Sequence, residues 1–298
     1  MHAPDSHPDA CALCGHPLGG TVVELTAPDR YERAAGIGES GYLRRWVECP
    51  GCRALCDVHL SPEAAKLQEW ATNYYSREEG DDLPTRFRNI MALPPAQSDN
   101  RQRVRRVREF AAAWRERCAP PGGEKPRVLD VGAGMGVFLA ALLEAEEWDA
   151  TAIEPSAVAG AFLRQLGRFA VIEELFTPGL GLKDFDLITF NKVIEHIRTP
   201  QAVLEAAASA IAPRGLLYVE VPHRHSAACH PPEHFILGAL HWHLYAPSTL
   251  CLLLERSGWM PLECRTIFDP SGKVSTCAFA CLEKCAVDLG TGGSPSTA

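Results

Sequence analysis

Two pairs of cysteines near the start of the chain have the spacing of a metal site. Cys11 and Cys14 form one Cys-x-x-Cys pair, and Cys49 and Cys52 form the second. Four thiolates arranged in this way close a tetrahedron around zinc and leave no position open for a substrate. The spacing therefore predicts a structural zinc ion. A segment this short would depend on its metal to fold, because it buries little apolar surface.

A glycine-rich sequence follows a short apolar run in the second half of the chain. The strand-like residues 128–131 (VLDV) lead into Gly132, Gly134 and Gly136, and a helical pattern begins directly afterwards. Glycines permit a tight turn and a close approach of the backbone to a ligand, while the helix N-terminus offers free N–H groups. The third glycine comes one residue earlier than in the dinucleotide fingerprint. Glu154 ends the next predicted strand, where a carboxylate can accept hydrogen bonds from ribose hydroxyls.

Histidines cluster in the segment that follows the predicted strand at residues 215–222. Six of the eleven histidines in the chain lie there: His223, His225, His230, His234, His241 and His243. In a parallel sheet such a segment covers the carboxyl ends of the strands, where ligands bind. Histidine ionises near neutral pH and suits proton removal from an acceptor. We therefore expect a histidine base, with His243 first, His241 as its nearest rival, and His196 after another strand as a further candidate.

The elements that would position these residues alternate between strands and helices. Strands are predicted at residues 127–131, 149–153, 170–172, 185–191 and 215–222, with helices at 136–145, 156–166, 200–211 and 248–256. Two more strands, at 261–267 and 274–282, have no helix between them. This order predicts an α/β, Rossmann-like, doubly wound and mostly parallel sheet with one antiparallel strand. Residues 100–117 are predicted to form an earlier helix, whose arginines we interpret as its solvated face.

Three motifs occur in the order found in class I SAM-dependent methyltransferases. The first is Asp-x-Gly-x-Gly-x-Gly, which begins at Asp130; the others are residues 185–196 (FDLITFNKVIEH) and 213–222 (PRGLLYVEVP). On these motifs, residues 127–282 resemble that superfamily. The cysteine module, the helical linker and this domain together resemble sugar-nucleotide C-methyltransferases and related bacterial small-molecule methyltransferases. The resemblance implies four regions: a zinc-binding module at 1–60, a helical linker or lid at 61–125, a SAM-binding methyltransferase domain at 126–285, and a disordered tail at 286–298.

The resemblance also implies roles for individual residues around SAM. Asp130 and the three glycines line its methionine and ribose part, and Glu154 holds the ribose hydroxyls. The remaining cofactor residues are Glu174, near the adenine, and Asn191, near the sulfonium. Tyr74 and Tyr75 either cap the cofactor or pack the linker on the core.

The same families suggest how the acceptor side is built. In the C-methyltransferases a Tyr-His-Glu-His-like segment supplies the catalytic groups, and residues 240–243 (LHWH) stand in its place, with His243 as the last histidine. In some ubiquinone-pathway and RNA 2′-O-methyltransferases a Glu-x-x-Glu-His sequence binds a catalytic metal. Glu195 and His196 keep its last two positions, but Lys192 replaces the first glutamate. Because an ammonium group repels a cation, this sequence argues against a metal there.

The predicted function is SAM-dependent methyl transfer to a small-molecule acceptor, a sugar, sugar nucleotide or secondary metabolite. The alternative is an RNA methyltransferase that grips RNA with its zinc module; a non-enzymatic SAM-binding protein is a third reading. A net charge of −8 and a pI of about 5.8 argue against nucleic acid as a partner. The basic residues of the zinc module are few: Arg30, Arg33, Arg44, Arg45 and Arg53. The acceptor, the methylated atom and the oligomeric state stay open.

The location of the protein is expected to be cytoplasmic. The first ten residues lack a basic and apolar leader pattern, and no apolar stretch reaches the roughly 18 residues of a membrane span. No membrane partner is therefore expected. Twelve cysteines in a reducing compartment are interpreted as metal ligands or buried side chains.

Overall fold

The computed structural model describes residues 10–63, 65–67, 70, 82–118 and 125–282. Tyr74, Tyr75 and the predicted tail at 286–298 lie outside these residues. The first part of the chain forms β1 (Thr21–Leu25), α1 (Arg30–Ala34), β2 (Arg44–Glu48) and β3 (Leu55–His59). Helices α2 (Leu83–Met91) and α3 (Asp99–Cys118) follow, with a short 3₁₀ turn at Pro95–Gln97 between them.

The larger part of the chain alternates strands and helices as the sequence predicts. Its elements are β4 (Arg127–Val131), α4 (Val137–Ala145), β5 (Asp149–Ile153), α5 (Ala157–Leu166), β6 (Ala170–Ile172), β7 (Phe185–Asn191), α6 (Gln201–Ala210), β8 (Ile211–Pro222), α7 (Ser226–Cys229), β9 (His243–Leu244), α8 (Pro247–Arg256), β10 (Trp259–Phe268) and β11 (Val274–Leu282). Further 3₁₀ turns lie at Pro178–Leu180, Ile194–His196 and Phe235–Leu237.

Seven strands form one sheet in the order β10-β11-β8-β7-β4-β5-β6. Strands β4, β5, β6, β7 and β8 pair in parallel, whereas β11 is antiparallel to both of its neighbours. The predicted mostly parallel sheet with one antiparallel strand is therefore confirmed. Strands β4 and β7 lie next to each other at the centre of the sheet. The chain passes from β4 to β5 in one direction along the sheet and from β7 to β8 in the other. Ligands commonly bind at such a point of reversed strand order.

Local sequence signals explain where the helices begin and end. The Ser156 side chain accepts a hydrogen bond from the Ala159 N–H at the start of α5, and Gly167 ends the same helix with a left-handed φ of +61°. Helix α4 is apolar around its circumference, with buried residues from Phe138 to Leu142, because it packs between the sheet and other helices. None of the described helices has the length and apolarity needed to cross a bilayer.

A second, four-stranded sheet has the order β1-β2-β3-β9. Its last strand comes from the histidine-rich segment: Leu55 pairs with Leu244, and Cys56 pairs with His243. The Trp46 indole N–H also donates to the main-chain oxygen of Leu237, at 3.2 Å. The sheet formed by β1, β2 and β3 thus gains its fourth strand from a part of the chain that the sequence assigns to the methyltransferase domain.

Helix α3 is joined to the sheet by a buried ion network. Arg103 donates to both carboxylate oxygens of Glu220 in β8, at 2.9 and 2.6 Å, and Arg106 donates to the same carboxylate at 2.8 Å. The Tyr218 hydroxyl adds a bond of 2.7 Å. The prediction of a solvated arginine face is therefore wrong for Arg103 and Arg106. It holds for Arg105, whose side chain is 68% exposed. The reason is that β8 presents an ionised carboxylate beneath the helix.

We expect Glu220→Ala to lower the free energy of unfolding by about 3–5 kcal/mol, because it leaves two buried guanidinium groups without their anion. Urea denaturation of the purified protein measures this. The matched control is Glu109→Ala, which removes the exposed partner of Arg105 on the same helix and should cost less than about 0.5 kcal/mol. Equal losses in the two variants would contradict the assignment.

Candidate functional site

The glycine-rich sequence forms a loop between β4 and α4. Gly132, Gly134 and Gly136 have φ angles of +71°, +55° and +74°, a region that glycine adopts without strain. A Cβ on Gly132 would lie 2.6 Å from Val193, and one on Gly136 would lie 2.6 Å from Leu163. At Gly134 a Cβ would meet no atom within 4 Å. Two of the glycines are therefore required by packing, while the third lies beside open space.

The Glu154 carboxylate links this loop to the next one. Its Oε2 accepts a hydrogen bond of 2.7 Å from the Gly134 N–H, and its Oε1 accepts one of 2.9 Å from the Ser156 N–H. The side chain lies at the end of β5 and is buried. The arrangement fixes the carboxylate beside the open space at Gly134.

Asp130 lies on β4, next to the end of β7. Its Oδ1 accepts hydrogen bonds from the Thr189 hydroxyl at 2.6 Å and from the Asn191 side-chain amide at 2.8 Å. Burial raises the pKa of Asp130 to about 6, although these bonds oppose the shift. The Asn191 Oδ1 is buried without a partner in the described part of the chain. The structure thus brings together two residues that the sequence places 61 positions apart.

Glu174 lies in the loop that follows β6, exposed to solvent. Its neighbour Leu175 is 62% exposed, which is unusual for leucine and gives this loop an apolar surface. The proposed cofactor residues all lie along one edge of the sheet, at or just beyond the carboxyl ends of β4 to β7. Their roles remain a prediction.

Glu195, His196 and His241 converge beyond the end of β7. One potential ligand atom from each of them lies within 4.8 Å of the others. His196 Nδ1 lies 2.9 Å from the Leu240 carbonyl oxygen, and His241 Nδ1 lies 2.8 Å from that of Ile236. Because a carbonyl oxygen only accepts, each Nδ1 carries the proton and each lone pair is on Nε2. Burial lowers the pKa of both rings, that of His241 to about 3, so both are neutral at pH 7.

The carboxyl group of Glu195 is buried in the same place. Burial raises its pKa to about 7, while the positive charge of Lys192 opposes the shift. Its Oε2 has no hydrogen-bond partner among the described residues. The Lys192 ammonium is bonded to Ser275 and lies 3.3 Å from Glu220 Oε1. The main-chain oxygen of Glu195 accepts a bond of 2.8 Å from the Trp242 N–H, which holds the histidine-rich segment against it.

His243 lies in a different environment from the other two candidate histidines. It belongs to β9, opposite Cys56, and is 3% exposed. Its Nε2 lies 2.9 Å from the Arg198 carbonyl oxygen, and its Nδ1 is buried without a partner in the described residues. Pairing of β9 with β3 turns this ring toward the N-terminal cysteines. Which of the three histidines acts on an acceptor stays a prediction.

The four predicted cysteine ligands form a compact cluster with their thiols within 4.8 Å of one another. The shorter separations are 3.7 Å between Cys11 Sγ and Cys52 Sγ, and 3.4 Å between Cys14 Sγ and Cys49 Sγ. A zinc–sulfur distance of about 2.3 Å in a tetrahedron places sulfurs about 3.8 Å apart, so these thiols fit a zinc ion. The Cys56 thiol, 3.8 Å from Cys11, is a fifth sulfur beside the cluster.

Each cysteine pair is followed by a residue with a left-handed backbone conformation, but only the first of these residues is a glycine. Gly15 has a φ of +79°, but the matching position after the second pair is Arg53, with a φ of +67°. Gly51 is needed for another reason, since a Cβ there would lie 2.5 Å from the His16 ring. His59 is part of a buried ion network instead of the metal cluster. Burial lowers its pKa, but Asp57 and Glu32 outweigh this and raise it to about 9.

Sequence reasoning missed two groups at the edge of the sheet. Glu220 stands in the otherwise apolar run LLYVEV of β8, and a lone carboxylate in such a strand could have indicated a buried charge. Tyr245 has a buried hydroxyl with no partner among the described residues, and burial together with Glu195 raises its pKa well above the usual range. Tyr245 follows His241 and His243 in the sequence, but the burial of its hydroxyl depends on tertiary packing and cannot be predicted from that position.

Comparison with known proteins agrees with this geometry. The ubiquinone biosynthesis O-methyltransferase of Xanthomonas campestris pv. campestris is 32% identical over 120 residues, which are 38% of this chain and 48% of that protein. A tRNA U34 carboxymethyltransferase of Idiomarina loihiensis is 30% identical over 173 residues, or 52% of this chain and 53% of that protein. The chain spans about half the length of these curated relatives.

The fold is also found among solved structures. A 1,6-didemethyltoxoflavin-N1-methyltransferase from Burkholderia thailandensis has a TM-score of 0.50 at 16% identity and covers 80% of this chain and 94% of its own. A methyltransferase domain family matches residues 103–263, more than half of the chain. These residues contain the glycine loop, Glu154 and the cluster at Glu195. The chain therefore belongs to the methyltransferase domain family, in its class I, SAM-dependent branch.

Proposed function

We propose that this chain transfers the methyl group of SAM to a small-molecule acceptor. The observation that carries the proposal is the open space at Gly134, beside the Glu154 carboxylate. A nucleoside with vicinal hydroxyls fits such a place, because the carboxylate accepts both hydroxyl hydrogens while loop N–H groups approach the ligand. Glu174 and the apolar Leu175 then flank the adenine, and Asn191 faces the sulfonium.

The acceptor binds, in this proposal, at the Glu195, His196 and His241 cluster. Glu195 and His196 follow Asn191 by four and five residues, so that an acceptor beside them is within reach of the methyl group in this proposal. Methyl transfer needs an aligned nucleophile that has lost its proton. We assign the two clustered histidines to this task in preference to His243.

A small molecule is favoured as the acceptor by charge and by the relatives. The net charge of −8 disfavours broad contact with RNA, and several curated relatives are ubiquinone biosynthesis O-methyltransferases. The second candidate is RNA, which the tRNA U34 carboxymethyltransferase relative supports. Incubation with methyl-labelled SAM plus either deproteinised metabolite extract or total RNA separates the two. Label in RNA alone would replace the proposal with the second candidate.

We propose a structural zinc ion in the N-terminal module, held by Cys11, Cys14, Cys49 and Cys52. Its role is to fix residues 10–60, and through β3 the strand β9 and the segment before it. Residues 126–285 are the catalytic domain, and the helices before it are a linker packed on the sheet. Those boundaries are part of the proposal.

Purified protein should contain about one zinc ion per chain after dialysis against a mild chelator, because a closed four-thiolate site holds zinc tightly. Elemental analysis measures the ratio. Cys14→Ser should reduce both zinc content and melting temperature. The control Cys229→Ser changes an exposed cysteine of α7 and should alter neither. Substoichiometric zinc in a fully stable protein would rule out the site.

Glu154→Gln should weaken SAM binding by about 1.5–3 kcal/mol, the usual scale for hydrogen bonds to a charged group. Isothermal titration calorimetry measures the affinity. Gln keeps the shape of the side chain, and an unchanged melting temperature checks the loop. The control is Glu147→Gln, an exposed glutamate near the end of α4. An unchanged SAM affinity in Glu154→Gln would refute the assignment.

His241→Ala should lower the turnover of labelled SAM with the metabolite extract by roughly 10²–10⁴-fold, while SAM affinity is unchanged. His243→Ala should act differently, because its ring is enclosed at the β3–β9 contact: it should lower the melting temperature. Rates at saturating SAM and thermal unfolding are measured on both proteins. If His243→Ala loses turnover at unchanged stability and His241→Ala does not, the base assignment returns to His243.

A further inference from the structure

Strand β10 forms one edge of the seven-stranded sheet. Its inner side pairs with β11, and no described strand pairs with its outer side. The strand is ten residues long, whereas the commonest strands have about five to six. An edge strand presents a row of main-chain N–H and C=O groups that another chain can pair with. The outer side of β10 is therefore a candidate interaction surface.

The described helices beside β10 pack on the faces of the sheet and leave its edge open. Helix α3 reaches β11, where the Phe110 and Phe279 rings stack at 3.9 Å, and a cavity of about 280 Å³ remains between α3 and β10. On the other face, the Cys264 thiol donates to the first main-chain oxygen of α8 at 3.1 Å. Most of β10 is only partly buried, with Arg265 and Phe268 exposed, whereas the interior residues of β11 are all buried.

Two opposite charges lie next to each other on this edge strand. Glu263 and Arg265 are two residues apart, so both side chains lie on the α3 face, where they line the cavity. Glu263 Oε1 lies 2.9 Å from Arg265 Nε, but it has no partner in hydrogen-bond geometry among the described residues, although it is buried. The Arg265 side chain is 52% exposed. The pair therefore has both an acceptor and a donor to offer to another chain.

A second copy of the chain presents the complementary charges in the right order. In an antiparallel pair of β10 strands centred on Cys264, Glu263 lies opposite Arg265 of the partner subunit, and Arg265 lies opposite the partner's Glu263. Directly opposed side chains in such a pair are close enough to interact, and opposite charges there are stabilising. The bulge between Pro261 and Glu263, together with the missing N–H of Pro261, ends the pairing on one side. The edge is thus self-complementary around Cys264.

We propose that the chain forms a symmetric homodimer through antiparallel pairing of two β10 strands, centred on Cys264. The two seven-stranded sheets then join into one continuous sheet, and each copy uses the same edge once, so the contact closes with two subunits. Phe268, which is 81% exposed in the single chain, comes to lie near Met260 of the partner subunit. A second copy is favoured over an unrelated peptide because the charge pattern complements itself. The dimer is independent of the proposed function.

Sedimentation equilibrium of the purified full chain over a series of concentrations measures the mass and the dissociation constant. We expect a mass of twice the 32.5 kDa of one chain. Glu263→Arg and Arg265→Glu should each weaken the dimer roughly 10-fold or more, because each reversal sets like charges opposite one another at both pairs. The control Glu24→Arg reverses a charge on β1, the edge strand of the smaller sheet, and should leave the dissociation constant unchanged. Melting temperatures check that each variant is folded.

Mixing the two variants separates pairing between subunits from the ion pair within one strand. Both variants lose the internal pair of Glu263 and Arg265, but in a mixture the two positive charges of one face the two negative charges of the other. An equimolar mixture of Glu263→Arg and Arg265→Glu should therefore form a heterodimer, which differently tagged copies reveal by co-purification. The proposal is overturned if the original chain is monomeric at every concentration, if its dimer is weakened by Glu24→Arg and not by the two β10 reversals, or if the mixture stays monomeric.

Discussion

The pairing of strand β9 with strand β3 is the contact on which the proposed acceptor site depends. Only two residues of β9 pair, but the contact continues because the Asp57 N–H donates to the Trp242 carbonyl oxygen at 2.9 Å. The Trp242 N–H donates in turn to the Glu195 main chain. The main chain of Trp242 thus bonds to both parts of the protein: its N–H to Glu195, beyond the end of β7, and its carbonyl oxygen to Asp57 in β3. His241 is held beside Glu195 by its neighbour in the chain, so the N-terminal sheet determines the geometry of a cluster 130 residues or more away in sequence.

Three buried carboxyl groups lie near the carboxyl ends of the strands, and the neighbouring cations are concentrated on one of them, Glu220. Glu220 receives Arg103, Arg106 and Lys192, and these cations lower its pKa well below the usual range against the effect of burial. Asp130 and Glu195 are buried as deeply, and burial raises the pKa of both. A positively charged ligand next to either carboxyl group would favour its ionised form. The edge therefore suits a cation, such as the sulfonium of SAM in the proposed function.

Sequence predicted the parts of this molecule that short segments specify. The glycine loop, the alternation of strands and helices and the cysteine pairs follow from the local sequence, because each is formed by a few adjacent residues. The contacts that join distant segments did not follow: β9 is two residues long, and its partners, Leu55 and Cys56, lie in the N-terminal part of the chain. The same holds for Arg103, since a buried and a solvated arginine look alike until the carboxylate of Glu220 lies beneath it. The distinction between His241 and His243 also depends on that strand pairing.

The placement of the cysteine module argues for a scaffold role and against a nucleic-acid grip. Cys49 and Cys52 are buried in the same apolar cluster as the central strands, and the Thr249 hydroxyl of α8 donates to the Cys52 carbonyl oxygen at 2.6 Å. The module therefore presents its cysteine cluster to the interior of the protein. Its basic residues are also largely neutralised: Arg44 is paired with Asp57 at 2.9 Å, Arg45 with Glu24 at 2.9 Å and Arg53 with Glu48 at 3.1 Å. A phosphate backbone would have to displace these carboxylates before it could bind. The favourable free energy of counterion release would then be offset by the loss of the existing ion pairs. A module held in this way is suited to supporting β9 and the segment before it, and through them the proposed acceptor site.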